Sequence, residues 1–338
     1  MLELANGFIS FKTFSAALEL ELFTKLAGGT SMTVKEFAEA ADLQGRPARL
    51  LLAACASLGL LEKSGDGYRN SALAEEYLVI GRPHYFGGFV RFCDRKLYEN
   101  WHRVLDALQT NRPVTWDPEQ QEGAFSTDDA VLMETFWDAM HSLAGATAGA
   151  LDEVYDFGPH QRVLDVGGGS GGFVIQLCQR NPGLTATVFD LPHVRQIAEA
   201  KVAEAGLGDR IDVVAGDFQA DPALPADFDV ALLTSVLHDH DEAANRRLLD
   251  KAFTAAAPGG VVLVCELLLN DERTGPPAAA LMGMNMLVGL PGGENYAESE
   301  YRGWLEDAGF TDVPVLRFDA AGANGAVVGR KPLAGELS

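Results

Sequence analysis

A glycine-rich run lies between a short apolar strand pattern and a helix pattern near the middle of the chain. It places Gly167, Gly169 and Gly172 in the spacing G-x-G-x-x-G, and Asp165 precedes them. Glycines let a ligand approach the backbone closely, and the start of a helix adds N–H donors. The same spacing occurs in dinucleotide-binding oxidoreductases. A carboxylate at Asp165 would repel a pyrophosphate, however, and it suits a cationic ligand such as an amino-acid ammonium group.

Two further acidic residues follow predicted strands. Asp190 ends the second strand pattern, where it can accept hydrogen bonds from a ribose diol; a helix N-cap is the alternative. Asp217 and Phe218 follow the third, where an acid can bond an adenine amino group and a ring can cover the adenine face; a simple turn is the alternative. Parallel strands end at one shared edge, so these acids predict a nucleoside site. The predicted site also includes the strand-end residues Leu191, Thr234 and Ser235.

A histidine follows the fourth strand pattern. His238 stands just past this strand, and an imidazole with an ordinary pKa of about 6.5 suits a general base near neutral pH. His238 and His240 alternate with Asp239 and Asp241, which is also a fair set of metal ligands, and both histidines could instead be structural. We predict a base at His238 and no metal.

The second half of the chain alternates short β-branched runs with helical patterns. Such alternation predicts a doubly wound, Rossmann-like α/β domain with a parallel sheet covered on both faces. The predicted strands are Arg162 to Val166, Thr185 to Phe189, Ile211 to Val214, Val230 to Leu233 and Val261 to Glu266. A long helix, Ala130 to Val154, is predicted to join the two halves.

The first half is predicted to be mostly helical with one β-ribbon. Apolar spacing predicts one helix from Phe8 to Leu26, and Thr33 to Glu36 resembles a capping box that opens another. A helix from Pro47 to Leu58 and the Gly65-Asp66-Gly67 turn complete a winged helix-turn-helix pattern. Between Leu20 and Ile80, six basic residues face eight acidic ones, whereas a DNA reader should be strongly basic. The pattern therefore favours an interaction or dimerisation module.

Length, composition and charge limit the number of domains and the kinds of partner that fit this chain. The chain has 338 residues, 47% of them hydrophobic, which is enough for two domains; we place them at 1–145 and 146–338. A net charge of −22 argues against nucleic-acid and membrane-surface partners. Four separated cysteines indicate neither a disulfide framework nor a zinc knuckle. Neither a secretory signal nor a transmembrane run is apparent, so we expect a cytoplasmic protein.

In their order and in their residues, these segments resemble the two-domain S-adenosylmethionine-dependent O-methyltransferases of plant phenolic and bacterial natural-product pathways. The resemblance covers nearly the whole chain. The resemblance is carried by Asp165 to Gly171, Phe189 to His193, Gly216 to Phe218, Leu237 to Asp239, Pro258 to Gly260, Glu266, Pro291 to Gly293 and Trp304 to Phe310. It implies S-adenosyl-L-methionine as cofactor and His238 as catalytic base. It also implies that Glu266 orients this base and that the first domain forms a homodimer.

Two departures from the family pattern bear on the reaction. Plant members have a Trp where this chain has His240, and they often carry a second acid where it has Asn295. Relatives that C-methylate small keto acids through iron need a histidine near that second position, so Asn295 argues against such a reaction. The resemblance therefore implies a base oriented by one carboxylate, and an acceptor that need not be a phenol.

The acceptor pocket is predicted where the long linking helix and a helix from Ala280 to Leu290 face the sheet edge. Its candidate residues are Phe136, Trp137, Met140, Met282, Met286, Asn295 and Tyr296. A stripe of Met and aromatic residues at helical spacing is also typical of plain core. We predict methyl transfer to a hydroxyl of a small metabolite, aromatic or not. The alternatives are an S- or C-methyltransferase acting on a small carboxylic acid without an essential base, and a relative that binds the cofactor without transferring methyl.

Overall fold

The computed structural model describes residues 1–116, 130–333 and 335 of the chain. These residues fall into two units, each with its own core. The first comprises Met1–Glu99 and the described part of 127–142, and the second comprises the described parts of 100–126 and 143–338. Within the described residues, no helix combines the length and apolarity that crossing a bilayer requires.

The first unit is built of short helices around a small antiparallel sheet. Its helices are α1 (Leu2–Ala5), α2 (Gly7–Glu19), α3 (Leu22–Lys25), α4 (Val34–Ala40), α5 (Gly45–Ser57), α6 (Ala72–Tyr77) and α7 (Gly87–Phe92), with a 3-10 turn at Ala27–Gly29 and a π-turn at Cys93–Leu97. Its strands are β1 (Met32–Thr33), β2 (Leu61–Ser64) and β3 (Gly67–Asn70), in the order β1-β3-β2.

The winged-helix prediction is confirmed in this unit. The capping box opens α4: the Thr33 N–H donates to Glu36 Oε2 at 2.7 Å, and the Glu36 N–H donates to Thr33 Oγ1 at 3.3 Å. Gly59 has a φ of +75° after α5, which is the left-handed conformation that ends helices and favours glycine. Strands β2 and β3 then pair as the predicted ribbon.

The prediction of one helix from Phe8 to Leu26 is wrong. Helix α2 ends at Glu19, and Glu21 adopts a left-handed φ of +53° before α3 begins at Leu22. The break lets both segments bury their apolar side chains: Leu18, Leu22 and Phe23 are all nearly or fully buried in the core of the unit. Packing against that core therefore outweighs helical periodicity here.

The second unit carries the large sheet. Its helices are α8 (Val104–Thr110), α10 (Gly172–Arg180), α11 (Arg195–Glu204), α12 (Glu242–Ala255), α13 (Pro277–Gly289) and α14 (Glu298–Asp307), with 3-10 turns at Asn100–Arg103 and Leu237–Asp239. Its strands are β4 (Arg162–Val166), β5 (Thr185–Asp190), β6 (Ile211–Ala215), β7 (Phe228–Thr234), β8 (Ala256–Glu266), β9 (Val315–Arg317) and β10 (Gly325–Arg330). Helix α9 (Ala130–Asp152) contributes residues to both units.

The five predicted strands form the parallel part of a seven-stranded sheet with the order β6-β5-β4-β7-β8-β10-β9. The doubly wound prediction is confirmed, with one difference. Strand β10 runs antiparallel to β8, and β9 runs antiparallel to β10. The sheet is therefore mixed, because these last two strands are joined by a short connection that needs no crossover helix.

Strand alternation divides the second unit into two cores. Val163 packs into the cluster beneath α10 and α11, whereas Leu164 packs into the opposite cluster with α12 and α14. The glycine turn follows β4, and its parallel neighbours end at the same edge of the sheet. The predicted acids and His238 therefore come from neighbouring strand ends.

Candidate active site

The turn from β4 to α10 requires glycine for steric reasons. Gly167 has a φ of +68°, and a Cβ built on it would lie 2.8 Å from Cγ2 of Val236. Its N–H donates to the Phe189 carbonyl at 2.8 Å, which ties the turn to the end of β5. Gly169, also with positive φ, donates its N–H to Oδ2 of Asp190 at 2.7 Å. The predicted strand–turn–helix context is thus present.

Asp165 is fully buried at the end of β4. Neither carboxylate oxygen has a hydrogen-bond partner among the residues that the structure describes. Burial, reinforced by the nearby charge of Asp190, raises the pKa of Asp165 to about 7. A buried carboxyl without partners is costly, so its surroundings fit a site in which a ligand supplies hydrogen-bond donors or positive charge.

Asp190 ends β5, and its carboxylate accepts hydrogen bonds from two backbone N–H groups. Oδ1 accepts from the Leu191 N–H and Oδ2 from the Gly169 N–H, both at 2.7 Å. Burial raises the pKa of Asp190, while these two amide bonds oppose the shift. The N-cap alternative is wrong, because α11 is capped by Val194. A carboxylate has about four lone-pair positions, so two remain for ligand hydroxyls.

Asp217 closes a turn after β6. Its Oδ1 accepts from the N–H groups of Gln219 and Ala220, at 2.8 and 3.2 Å. Phe218 is half-buried, and its ring approaches the position that a Gly167 Cβ would take to 3.5 Å. A turn at Asp217 and a ligand contact at Phe218 are therefore compatible. One oxygen of Asp217 holds the turn, while the ring of Phe218 faces the glycines.

Lys251 is a residue that sequence reasoning missed. From α12 its Nζ donates to the carbonyls of Phe218 and Asp221, at 2.7 and 2.6 Å, and so anchors the loop that presents Phe218. A lysine in an amphipathic helix ordinarily indicates a solvated face. Only the fold brings this one to the loop, so the sequence carries no signal for it.

The strand that precedes His238 ends in a strained connection. Thr234 ends β7, and Ser235 adopts a φ of +53°, which is uncommon for a residue other than glycine. The Ser235 N–H donates to the carbonyl of Cys265 on β8 at 3.0 Å. The chain is thereby turned into the short 3-10 segment Leu237–Asp239, which carries His238.

Glu266 joins this segment to the sheet. It is fully buried at the end of β8, and its Oε2 lies 2.6 Å from Nδ1 of His238. Its Oε1 accepts from the N–H groups of Val236 and Leu237, both at 3.0 Å. One carboxylate therefore both shapes the loop and fixes the orientation of the imidazole, leaving Nε2 as the nitrogen free of Glu266.

The charges around His238 set its protonation. Burial alone would lower its pKa, but the carboxylates of Glu266 and Asp239 outweigh that effect and raise the pKa to about 9. Oδ1 of Asp239 lies 3.4 Å from Nε2 of His238. Burial in turn raises the pKa of Asp239 to about 6, against the opposing charge of His238. The imidazole thus lies between two carboxylates, one near each ring nitrogen.

The neighbouring His240 and Asp241 have other contacts. Asp241 caps α12, since its Oδ1 accepts from the Ala244 N–H at 2.8 Å. The ring of His240 meets that of Phe218 edge-on, with centroids 5.4 Å apart. Across the described ranges, no group of three or more His, Cys, Asp or Glu side chains is arranged to hold a metal ion.

Three of the acceptor-pocket candidates lie in the first unit. Phe136 is buried against Phe92 with ring centroids 4.3 Å apart, and Trp137 meets Phe136 edge-on at 5.7 Å. Met140 packs against the same cluster. Their contact with an acceptor stays a prediction.

The other candidates lie in the second unit. Met282 packs on a small apolar cluster, and Met286 is buried, with its Cβ 3.2 Å from the position of a Gly293 Cβ. Asn295 is buried; its Nδ2 donates to the Leu267 carbonyl at 2.7 Å, while its Oδ1 has no partner among the described residues. Tyr296 is buried in the core, and its hydroxyl donates to the carbonyl of His240 at 2.7 Å. Their roles toward an acceptor also stay predictions.

Comparisons with known proteins agree with this architecture. A family model described as an O-methyltransferase domain matches residues 101–311, and one described as an O-methyltransferase dimerisation domain matches residues 2–79. The chain is 43% identical over 329 residues to the 3-hydroxy-5-methyl-1-naphthoate 3-O-methyltransferase of Streptomyces sahachiroi, which covers 97% of this chain and 94% of that protein. It is 33% identical to the tetracenomycin polyketide synthesis 8-O-methyl transferase of Streptomyces glaucescens, over 98% and 96% of the two chains.

A solved structure shares the whole fold. Human N-acetylserotonin methyltransferase in complex with S-adenosylmethionine superposes with a TM-score of 0.82 at 27% identity, covering 98% of this chain and 96% of the other.

The raised pKa of His238 gives a direct test of the Glu266 contact. In the protein without ligand, we expect NMR titration of this imidazole to show an inflection near pH 9, against about 6.5 for an ordinary histidine. Because the folded-state pKa is raised, the contact stabilises the fold fully below about pH 6.5 and is lost as pH rises through about 9. Glu266→Gln removes the largest favourable charge, so the inflection should fall by at least about one unit.

Glu294→Gln is the matched control, because its carboxylate pairs with Arg273 at 2.7 Å and not with the imidazole. An unchanged inflection in Glu266→Gln would show that the carboxylate does not set the protonation of His238.

Proposed function

This chain belongs to the O-methyltransferase family that carries an N-terminal dimerisation domain, and we propose that it transfers a methyl group from S-adenosyl-L-methionine to an aromatic hydroxyl, with His238 as general base. The observation that carries the proposal is the 2.6 Å contact between Glu266 and Nδ1 of His238, beside the glycine turn and the unpartnered Asp165. A base held at one ring nitrogen by a buried carboxylate is the arrangement that proton removal from a hydroxyl requires.

The residues at the sheet edge fit the cofactor. Asp165 offers buried, unpartnered oxygens to an ammonium group, Asp190 has lone pairs left for the ribose diol, and Phe218 presents a ring to the adenine. Gly167 leaves room for Val236 at the start of the His238 loop, because a Cβ there would collide with Cγ2 of Val236. When bound, the cofactor supplies a methyl group made electrophilic by its sulfonium. Asp217, Leu191, Thr234 and Ser235 complete the proposed binding set.

The work left to the protein is proton transfer and alignment. His238 takes the proton of the acceptor hydroxyl at Nε2, and Glu266 stabilises the resulting imidazolium through Nδ1. Because the pKa of His238 is raised to about 9, the neutral imidazole gains population as pH rises, so proton removal becomes easier toward alkaline pH. Holding the acceptor in line with the methyl group can contribute about 7–11 kcal/mol at the upper end.

An aromatic polyketide hydroxyl is the acceptor class that we propose. Support comes from the 43% and 33% identical relatives, named for a hydroxynaphthoate and for tetracenomycin polyketide synthesis. The pair of His238 and Glu266 favours an oxygen acceptor over a sulfur acceptor, because a thiol, with a pKa of about 8.5, ionises more readily than an aromatic hydroxyl at about 10 and needs less help from a base. Met282, Met286 and Asn295 remain our candidates for acceptor contact in the second unit.

A homodimer formed through the first domain is the proposed assembly. The dimerisation-domain match covers residues 2–79, and large apolar side chains of α1 and α2 are exposed within it. Their exposed fractions are 79% for Leu2, 83% for Leu4, 56% for Phe8 and 51% for Ile9. Apolar side chains grouped so closely are typical of a protein interface.

His238→Ala tests the proposed base. With 3-hydroxy-5-methyl-1-naphthoate as probe acceptor, we expect kcat to fall by about 10²–10⁴-fold while the affinity for S-adenosylhomocysteine stays unchanged. His84→Ala is the control, because His84 pairs with Glu76 at the same 2.6 Å on an exposed surface. Near-full turnover by His238→Ala would rule out proton removal by this residue.

Asp190→Ala tests the ribose contact. Loss of the carboxylate would leave ligand hydroxyls unpaired, so we expect affinity for S-adenosylhomocysteine to weaken by roughly 1.5–3 kcal/mol, measured by calorimetry. Asp239→Ala is the control, since Asp239 faces the imidazole and not the glycine turn. Equal losses in the two variants would remove Asp190 from the cofactor site.

Phe8→Glu tests the assembly. A charge at a central apolar anchor should cost at least about 2 kcal/mol of association, a roughly 30-fold weaker dimer, which light scattering after gel filtration would detect. Val154→Glu is the control, because Val154 is 40% exposed and lies outside the dimerisation-domain match. A dimer of unchanged affinity in Phe8→Glu would place the interface elsewhere.

A further inference from the structure

Two buried polar side chains hydrogen-bond to the backbone carbonyls of the loop that carries His238. The first is Asn245 on α12, which is fully buried. Its Nδ2 donates to the carbonyl of Leu237 at 2.8 Å and to that of His240 at 3.2 Å. These two carbonyls flank His238 and Asp239 in the chain. Asn245 therefore links the two ends of the loop through hydrogen bonds to both carbonyls.

The second is Tyr296, which approaches the same loop from the segment before α14. Its hydroxyl donates to the His240 carbonyl at 2.7 Å. Its ring packs edge-on against Trp304 and Tyr301, with centroids 4.7 and 5.8 Å apart. The rings fix the direction of the hydroxyl, so the carbonyl of His240 is held by a rigid donor.

We infer that Asn245 and Tyr296 are positioning residues that fix the base His238 through the backbone carbonyls of its loop. The inference rests on the proposed function, in which His238 removes the acceptor proton. On this inference Tyr296 supports the loop and does not contact the acceptor, because its hydroxyl donates to the His240 carbonyl.

The loop needs such support because its own bonds are few. Within it, the Asp239 N–H donates to Val236 at 3.1 Å and the His240 N–H to Leu237 at 3.2 Å. Glu266 holds the N–H groups on one side, whereas Asn245 and Tyr296 hold the carbonyls on the other. A displacement of about 1 Å at a reacting group can cost of order 10²-fold in rate. Loss of the side chains that donate to these carbonyls should therefore lower the rate of proton removal by displacing Nε2 of His238.

Tyr296→Phe and Asn245→Ala test the inference. Tyr296→Phe deletes only a hydroxyl, so we expect kcat to fall by about 10-fold; Asn245→Ala removes two bonds, so we expect about 10–100-fold. The KM for S-adenosylmethionine should change by less than about 2-fold, because among the described residues neither side chain hydrogen-bonds to the glycine turn or to Asp190. Controls are Tyr301→Phe, a neighbouring buried tyrosine without a bond to the loop among the described residues, and Asn181→Ala, whose amide bonds Asp152.

Two acceptors separate mispositioning of the base from general damage. The probes are 3-hydroxy-5-methyl-1-naphthoate and its derivative nitrated beside the hydroxyl, which is ionised without a base at the assay pH. A misplaced base should cost much less on the nitrated acceptor, in both variants and in His238→Ala. Equal losses on the two acceptors in Tyr296→Phe and Asn245→Ala, with a shrinking loss in His238→Ala, would overturn the inference while leaving the proposed function intact.

A third measurement needs no acceptor. The side chains that face the imidazole are Glu266 from β8 and Asp239 from the loop itself, with His240 nearby. A loosened loop weakens the contact with Glu266, so the NMR inflection of His238 should move toward its ordinary value in both variants and stay fixed in both controls. An unmoved inflection together with an unchanged kcat would refute a positioning role.

Discussion

The buried carboxylate of Glu266 is the interaction on which the rest of the site depends. A charge without solvent is costly unless hydrogen bonds and an opposite charge compensate it. Here two backbone N–H groups lie 3.0 Å from one oxygen, and the imidazole of His238 lies 2.6 Å from the other. The same contacts that satisfy the carboxylate shape the loop and raise the pKa of His238. Stability, loop conformation and proton affinity are therefore set by one side chain.

Parallel topology explains why the remaining groups lie nearby. Strands β4, β5 and β7 run side by side in the same direction, so Asp165, Asp190 and the loop of His238 all follow neighbouring strand ends. Several carboxyl groups at one edge make the site acidic, in a chain whose net charge is −22. Such a field favours a cationic ligand over an anionic one, and the burial of Asp165 limits screening by salt.

Much of the fold and of the candidate site could be predicted from signals that act over a few residues of sequence. The strand from Arg162 to Val166 and the capping box at Thr33 appear as expected, because glycine conformation and helix capping act within a few residues. The kink at Glu21 was missed because packing against the core decides it. The antiparallel strand β10 was missed because its direction depends on how the chain comes back to the sheet edge beside β8. Lys251 and Asn245 were missed for a related reason: on a helix they read as solvated residues, and only the fold supplies the carbonyls that they bond.

The contact between Gly167 and Val236 has a consequence for how this enzyme can diversify. Val236 opens the loop of His238, and Gly167 belongs to the glycine turn after β4, so these two halves of the candidate site lie in contact with no room for an added methyl group. Substitutions on either side of that contact would disturb both halves at once.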